Sequence, residues 1–390
     1  MDSNKFEIIF KEGRGRYMIA NEELSQGDIA FVWKPYVLVP YVTYKDQVCA
    51  NCILISMKAK HECRNNCHRA YYCSRYCEEQ HWNEYHQYEC SFLEKIFQLE
   101  RLGYNDEVVN YARLVMRILT RRFKDLSQKS KCMSFDEVWL SSSHADKFSK
   151  EKAKEFECIA KLLTEYVLTK LVYEKSNDSI EVFLPDSEDT KKVHIDDFDQ
   201  WFDDRIQSNE RNATKVLLEK VFILVCIEEV NALFHITFKL DGYSAPPQTY
   251  AMGIYPSAAF VNHSCSPNLA RFPVQDDRND FHVGDVVYFA TRSIKPGDEV
   301  CYSYLERDAT LPGNRQEMIQ CQLKRKEKLK EEFFFDCDCV RCQNESNENS
   351  DSSYETLIEQ LKCKRSECKG WFIPALNGKQ MMCEACQMLR

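Results

Sequence analysis

Cysteine supplies the clearest chemical signal in this sequence. The chain of 390 residues holds 20 of them, and what they do depends on the redox compartment. Met1-Asp2-Ser3-Asn4-Lys5 runs straight into an alternating apolar stretch with no hydrophobic leader, and neither end carries a lipidation motif. The expected location is therefore the cytoplasm and/or nucleus, where thiols bind metal rather than form a disulfide framework. Spacing agrees. Cys49-x2-Cys52, Cys63-x3-Cys67, Cys73-x3-Cys77 and His86-x3-Cys90 offer eight ligands, and tetrahedral zinc uses four, so two ions account for all of them. A segment of about 42 residues is too short for a conventional core, and metal coordination should supply most of its folding free energy. His61, His68 and His81 are spare, with His81 the one substitute for His86. Tyr71, Tyr72, Tyr76 and Trp82 are expected to pack around the metal sites. Near the end of the sequence, Cys363-x4-Cys368 and Cys383-x2-Cys386 enclose Gly370-Trp371-Phe372, a ribbon-like spacing that suits one further ion. Cys132, Cys158, Cys226, Cys301 and Cys321 have no partner at ligand spacing and read as packing residues.

A second group of residues points to ligand binding. In Gly13-Arg14-Gly15-Arg16-Tyr17 the paired glycines let backbone approach a ligand closely, although alone they mostly mean a turn. Asn262-His263-Ser264-Cys265 is followed by Pro267-Asn268; an isolated Asn-His would be a polar turn satisfying its own backbone. Gly253-Ile254-Tyr255-Pro256-Ser257 precedes it, and Ile294-Lys295-Pro296-Gly297-Asp298-Glu299, Tyr304 and Cys337-Asp338-Cys339-Val340-Arg341-Cys342 follow. Taken together these segments resemble a SET domain with its post-SET cysteines, and residues 49–90 resemble a MYND finger. From 5 to 345 the chain is similar to the SET-and-MYND (SMYD-like) family of protein-lysine methyltransferases.

That resemblance implies an α+β fold, a β-rich SET domain split by an inserted zinc-bound MYND finger and a helical segment. It implies that Cys49, Cys52, Cys73 and Cys77 hold one zinc ion, and Cys63, Cys67, His86 and Cys90 the second. The post-SET group Cys337, Cys339 and Cys342 is one thiolate short of a zinc site, and Cys265 is the fourth. S-adenosylmethionine is the implied cofactor, bound by the backbone around Arg14, Gly15 and Arg16, by the Asn262 side chain and by the His263 main chain. Asn231 would contribute from the preceding strand, and Phe335 would pack on adenine. Tyr304, at the cofactor as well, resembles the active-site tyrosine near the transferred methyl group. A protein carrying the target lysine is the implied substrate, and proline-containing peptides are the implied partners of the finger. The chain departs from the family pattern at Ala259, where many relatives have serine, and at Phe333, where many have a second channel tyrosine. It also carries one extra residue in Cys63-x3-Cys67 and one in Trp82-x3-His86.

These side chains need elements to hold them. Residues 5–48 read as short strands broken by glycines, with alternation over Asp28–Trp33, and form the first SET part. The finger occupies 49–90. Helical periodicity in Phe92-Leu93, Ile96-Phe97 and Tyr111–Leu119 predicts a helical insert over 91–230. Strand character returns in Ala232–Phe238, Val286–Ala290 and Glu299–Tyr302, placing the SET core at 231–308 and the post-SET segment at 309–345. The polar run Gln343–Ser353 has almost nothing to bury and reads as flexible, with the linker at 346–354 and a zinc-ribbon-like tail at 355–390. The longest uncharged apolar run, Val221–Ile227, is too short to span a bilayer, so no membrane is expected. A formal charge of -9 makes nucleic acid an unexpected main partner, and Lys324-Arg325-Lys326-Glu327-Lys328 reads as a solvated helix face. Two functions fit: a methyltransferase, or a zinc-organised adaptor that has lost catalysis and binds partners through the finger.

Overall fold

The computed structural model describes residues 5–12, 14–55, 61–127, 133–172, 183–193, 211–237, 248–274, 281–305, 315–346, 362–368, 372–374, 381–383, 386 and 388. The expectations placed on Gly13, Cys132, Phe238, Gly370, Trp371 and the linker beyond Ser346 lie outside these residues. The strands in the first half are β1 (Phe6–Lys11), β2 (Gly15–Ala20), β3 (Ile29–Trp33), β4 (Val37–Pro40), β5 (His61–Glu62) and β6 (Tyr71–Tyr72). Those in the second half are β7 (Leu233–Thr237), β8 (Gln248–Ile254), β9 (Asn262–His263), β10 (Leu269–Pro273), β11 (Val286–Ala290), β12 (Cys301–Tyr302), β13 (Phe372–Pro374) and β14 (Met381–Cys383). The helices used below are α1 (Arg75–His81), α2 (Leu93–Arg101), α3 (Asp106–Ser127), α4 (Met133–Trp139), α5 (Lys150–Tyr166), α6 (Arg211–Asn231), α7 (Arg315–Glu332) and α8 (Val340–Ser346). No helix among the described residues is long and apolar enough to cross a membrane. The chain divides into two compact units, one built from residues 1–34, 237–248 and 257–390, the other from 35–236 and 249–256.

The first unit is β-rich. β1 and β2 form an antiparallel hairpin in register from Phe6 against Ala20 to Lys11 against Gly15. Gly15 takes a positive φ of 77° there, a conformation glycine adopts without steric cost. β3 pairs with β11, and β11 with β10, in a three-stranded sheet. The alternation read in the sequence is visible in β3: Phe31 and Trp33 are buried while Val32 points outward. Phe31 packs on Phe6 at 4.2 Å and on Trp33 at 4.5 Å, and Trp33 meets Tyr288 of β11 at 4.8 Å. β9 and β12 run parallel, with Asn262 opposite Cys301 and His263 opposite Tyr302. A bridge from Ile19 to Glu299 ties the hairpin to the residues entering β12.

The second unit is mostly helical. Its sheet, in the order β4-β8-β7, is closely packed at Gly253, where a Cβ would lie 2.7 Å from both the Leu38 side chain and the Val37 carbonyl oxygen. Helices α2, α3, α5 and α6 bury one continuous apolar core, and all of Val221–Ile227 in α6 lies inside it except for the slight exposure at Phe222. The finger has a core of its own, made of Cys49, Ala50, Cys63, Ala70, Tyr72, Cys77 and Cys90. Its last turn is pinned to α3 by Glu89 and Arg117, both buried and joined by two hydrogen bonds of 2.6 and 2.8 Å.

Three expectations need correction. Asn231 closes helix α6 rather than sitting in a strand, and β7 begins two residues later. Gln343–Ser346 belongs to α8 rather than to a flexible run, because Glu345 is buried and accepts from both Arg325 and Arg341. Tyr76 is 68% exposed and does not pack into the finger. One prediction concerns the buried pair. Glu89→Gln leaves the Arg117 charge without its partner and should lower the unfolding free energy by about 3–5 kcal/mol, read from the denaturant midpoint. A midpoint equal to wild type would show that the pair does not hold the finger to α3.

Candidate functional site

Within the finger, β5 and β6 form a short hairpin and α1 starts at Ser74, whose hydroxyl accepts from the Cys77 N–H at 3.1 Å. These elements gather two groups of donors. In the first, the sulfur of Cys73 lies 3.6 Å from that of Cys52 and 3.4 Å from that of Cys77, and Cys49 completes the set. In the second, His86 Nε2 lies 3.1 Å from Cys63 Sγ and 3.4 Å from Cys67 Sγ, while Cys63 and Cys90 are 3.7 Å apart. All four ligand atoms of each group lie within 4.8 Å of one another. His81 stands aside: its Nδ1 pairs with the Tyr72 hydroxyl at 2.9 Å, and burial pushes its pKa well down.

The two extra residues of the finger each appear as a local backbone device. Trp82–His86 is a π turn, which absorbs one more residue than an α-helical turn and lets the His86 ring face the sulfurs. In the other insertion, Asn66 adopts a positive φ of 50°, which asparagine tolerates better than most residues. Donor chemistry fits a soft divalent cation. The Cys49 thiol is drawn down to about 5, chiefly by the hydrogen bond from Cys52, and the Cys67 thiol to about 3, chiefly by that from Cys90. The same hydrogen bonds push the partner thiols of Cys52 and Cys90 up, so each pair shares one negative charge until a cation displaces the remaining protons.

The first unit carries two more groups. Cys265 follows β9, and its sulfur lies 3.9 Å from that of Cys337 and 3.6 Å from that of Cys342, with Cys339 completing the set. Leu329 of α7, Leu305, Phe333 and Phe335 pack around it. In the tail, Cys363 and Cys386 are 3.6 Å apart, as are Cys368 and Cys383, on the β13–β14 pair.

Beside the Cys265 group lies a cavity of about 260 Å³. Arg14, His263, Asn268, Arg292, Glu299 and Cys301 are among its lining residues. Arg14 is paired with Glu299, whose other oxygen lies 3.4 Å from Asn262 Nδ2. The space next to Gly15 is open, and the Arg16 guanidinium lies 5.1 Å from the Phe260 ring. Tyr304 sits two residues past β12. Its hydroxyl donates to the Val261 carbonyl at 3.1 Å, and its ring packs on Tyr302 at 5.0 Å and on Phe333 at 5.1 Å. Burial raises the Tyr304 pKa well above the ordinary phenol value, so the hydroxyl stays protonated. Phe335 lies 5.9 Å from His263 and 6.3 Å from Tyr304. Between the two phenylalanines Phe334 takes a positive φ of 62°, a strained conformation for a bulky residue, and this turn brings both neighbouring rings to Tyr304.

The SET domain family model matches residues 15–305 of this chain. The chain belongs to the SET family, and it is of the SET-and-MYND kind. A SET and MYND domain-containing protein of Dictyostelium discoideum is 26% identical to this SET protein over 395 residues, spanning 96% of this chain and 92% of the relative. The histone-lysine N-methyltransferase ASHR1 of Arabidopsis thaliana is 22% identical over 380 residues, 97% of this chain and 63% of its own length. The histone-lysine N-methyltransferase SMYD3 of Mus musculus is 24% identical over 362 residues, 93% of this chain and 66% of its own length.

Of the residues expected at the cofactor, the SET protein gathers Arg14, Gly15, Arg16, Asn262, His263, Tyr304 and Phe335 in its first unit. Asn231 belongs to the second unit, where Nδ2 donates to the carbonyls of Ser142 and Ile227 at 3.0 and 2.8 Å. Glu299 and Asn268 had no role in the sequence reading. Glu299 faces both Arg14 and Asn262, and Asn268 holds β12 by accepting from the Cys301 N–H at 2.8 Å and donating to the Glu299 carbonyl at 2.8 Å. Both stood inside motifs already quoted, and only pairing across the unit reveals what they do. Chelation tests the finger. Stripping metal should abolish the near-ultraviolet dichroism of buried Tyr72 and of Trp82, whose ring lies 5.0 Å from the Arg64 guanidinium. An unchanged spectrum would contradict a metal-held finger.

Proposed function

We propose that this protein transfers methyl groups from S-adenosylmethionine to lysine side chains of other proteins. The observation that carries the reading is the Tyr304 hydroxyl, half-buried, protonated and held on the Val261 carbonyl, with Phe333 and Phe335 against its ring and His263 beside it. The matched SET model and the names of the relatives ASHR1 and SMYD3 support the same chemistry. Zinc is the proposed metal in all four donor groups, since each offers a full set of four soft ligands and keeps no position open for catalysis.

When bound, S-adenosylmethionine supplies a methyl group activated on a sulfonium. Asn262, the His263 main chain, the backbone from Arg14 to Arg16 and the Phe335 ring are the proposed holding residues, and Arg14 and His263 also line the polar cavity beside the Cys265 group. A displacement of this kind depends on alignment more than on covalent help. Tyr304 would orient the incoming amine through its hydroxyl. Because Tyr302, Phe333 and Phe335 pack on the Tyr304 ring, a lysine reaching that ring would lose much of its water, and desolvation favours the neutral amine that can attack. Phe333 removes one hydroxyl from this lining and leaves room for a methylated amine, which extends the proposal to products beyond monomethyl-lysine. The exposed Tyr76 ring on the finger favours one second role, partner binding alongside or in place of catalysis.

Labelled S-adenosylmethionine with a cell lysate tests the reaction; absence of label on lysine in any protein would overturn it. Tyr304→Phe should lower the transfer rate about 100-fold with cofactor affinity nearly kept, whereas Asn262→Ala should weaken that affinity about 10-fold, both read by calorimetry and rate. Phe333→Tyr should shift products toward monomethyl-lysine by mass spectrometry, and an unchanged distribution would remove its role in multiplicity. Metal analysis should find four zinc ions per chain, and a content of two or fewer would refute the Cys265 and tail sites together.

A further inference from the structure

The His263 ring stands between the Cys265 donor group and the main chain of Tyr304. Its side chain is buried, at 8% exposure, packed edge-on against Tyr304 at 5.4 Å and tilted against Phe335 at 5.9 Å. On one side the Tyr304 backbone N–H donates to Nδ1 at 2.9 Å. A backbone amide can only donate, so Nδ1 must present its lone pair, and the proton of the neutral ring must sit on Nε2. On the other side Nε2 lies 3.2 Å from Cys265 Sγ. The N–H that Tyr304 forces onto Nε2 therefore points at a metal-ligand sulfur.

Both contacts matter physically. Four thiolates around one divalent cation retain net negative charge, and N–H donors aimed at the sulfurs spread it, the role that outer hydrogen bonds play at metal centres generally. Cys265 and His263 also lie two residues apart on the segment leaving β9, so the sulfur and the ring move together. At the other end, the acceptor on Nδ1 fixes the backbone of the residue that carries the Tyr304 hydroxyl. We infer that His263 is a positioning residue that locks the Cys265 metal group and the Tyr304 main chain into one unit through a single ring tautomer. This role belongs to its side chain and is separate from the main-chain contact with cofactor. It rests on the reading of the Cys265 group as a metal site and of Tyr304 as the active-site tyrosine.

The two ends can be cut separately in the full zinc-loaded protein. In His263→Asn the side-chain oxygen takes the place of Nδ1 and nothing reaches the sulfur. In His263→Gln the amide nitrogen reaches the place of Nε2 and the acceptor is lost, while His263→Phe removes both. Two readouts suffice, namely the rate at which a chelating dye takes metal and the amide exchange of the peptide containing Tyr304. The metal equivalent concerned is identified by its absence in Cys265→Ser. The Asn variant should release that equivalent about 10-fold faster with Tyr304 exchange near wild type. The Gln variant should do the reverse, with exchange at Tyr304 faster by up to about 10-fold, and the Phe variant should show both changes. Wild-type metal release in the Asn and Phe variants, wild-type exchange in the Gln and Phe variants, or identical behaviour of Asn and Gln would each overturn the inference. A wild-type protein that methylates nothing would refute the proposed function while both readouts still decide the role of His263.

Discussion

Metal-ligating atoms crowded to within 4.8 Å of one another can all lose their protons only around a cation, because bare thiolates at that distance repel strongly in a partly buried setting. Four such groups occur among the described residues, and most of the architecture around the site depends on them. The finger has a core of six small or sulfur-bearing residues and the Tyr72 ring, with Trp82 packed against it, too little apolar surface to fold unaided. The Cys265 group joins residues 77 apart in sequence and brings Phe333 and Phe335 to Tyr304. In the tail, the β13–β14 pair has Phe372 and Cys383 as its buried residues. Where apolar burial is scarce, coordination takes over the work of a core.

Polar groups around the site follow a related logic. Arg14 and Asn262 converge on the Glu299 carboxylate while Asn268 holds its main-chain carbonyl, and Arg325 and Arg341 converge on the Glu345 carboxylate beside the Cys265 group. In each case one buried or half-buried carboxylate fixes two donors, at least one of them from a segment distant in sequence. Such networks lock geometry better than they add stability, because ordering and desolvation offset much of the electrostatic gain.

Much of this was legible in the residues themselves. Ligand spacing marked the cysteine groups because a tetrahedral ion needs four donors and short gaps deliver them. Alternation marked β3, since a strand with one face on a core repeats every second residue, whereas β11 showed as a short run of β-branched and aromatic residues that is buried throughout. Three features escaped for physical reasons. The helical stretch ending at Asn231 runs into β7 with only Ala232 between, so periodicity alone could not place the boundary. The polar run at Gln343 became helix through Glu345, whose arginine partners are invisible in local sequence. The π turn at Trp82–His86 looks from spacing alone like a flaw in the motif, yet it takes up the extra residue and keeps the imidazole on target.

The division of the first unit along the chain has a consequence for how the protein is made. β3 must wait for β11, which emerges from the ribosome about 250 residues later. At roughly 5–20 residues per second that is a delay of roughly 13–50 s. Throughout it Phe31 and Trp33 have no sheet to join, whereas the finger's ligands all arrive within about 42 residues and can close on metal at once. The finger can therefore mature while β3 still lacks its partner strand and carries its aromatic side chains uncovered. Chaperone capture during synthesis should concentrate on residues 5–34, and the late arrival of Cys337–Cys342 means the Cys265 group can close only long after the finger has done so.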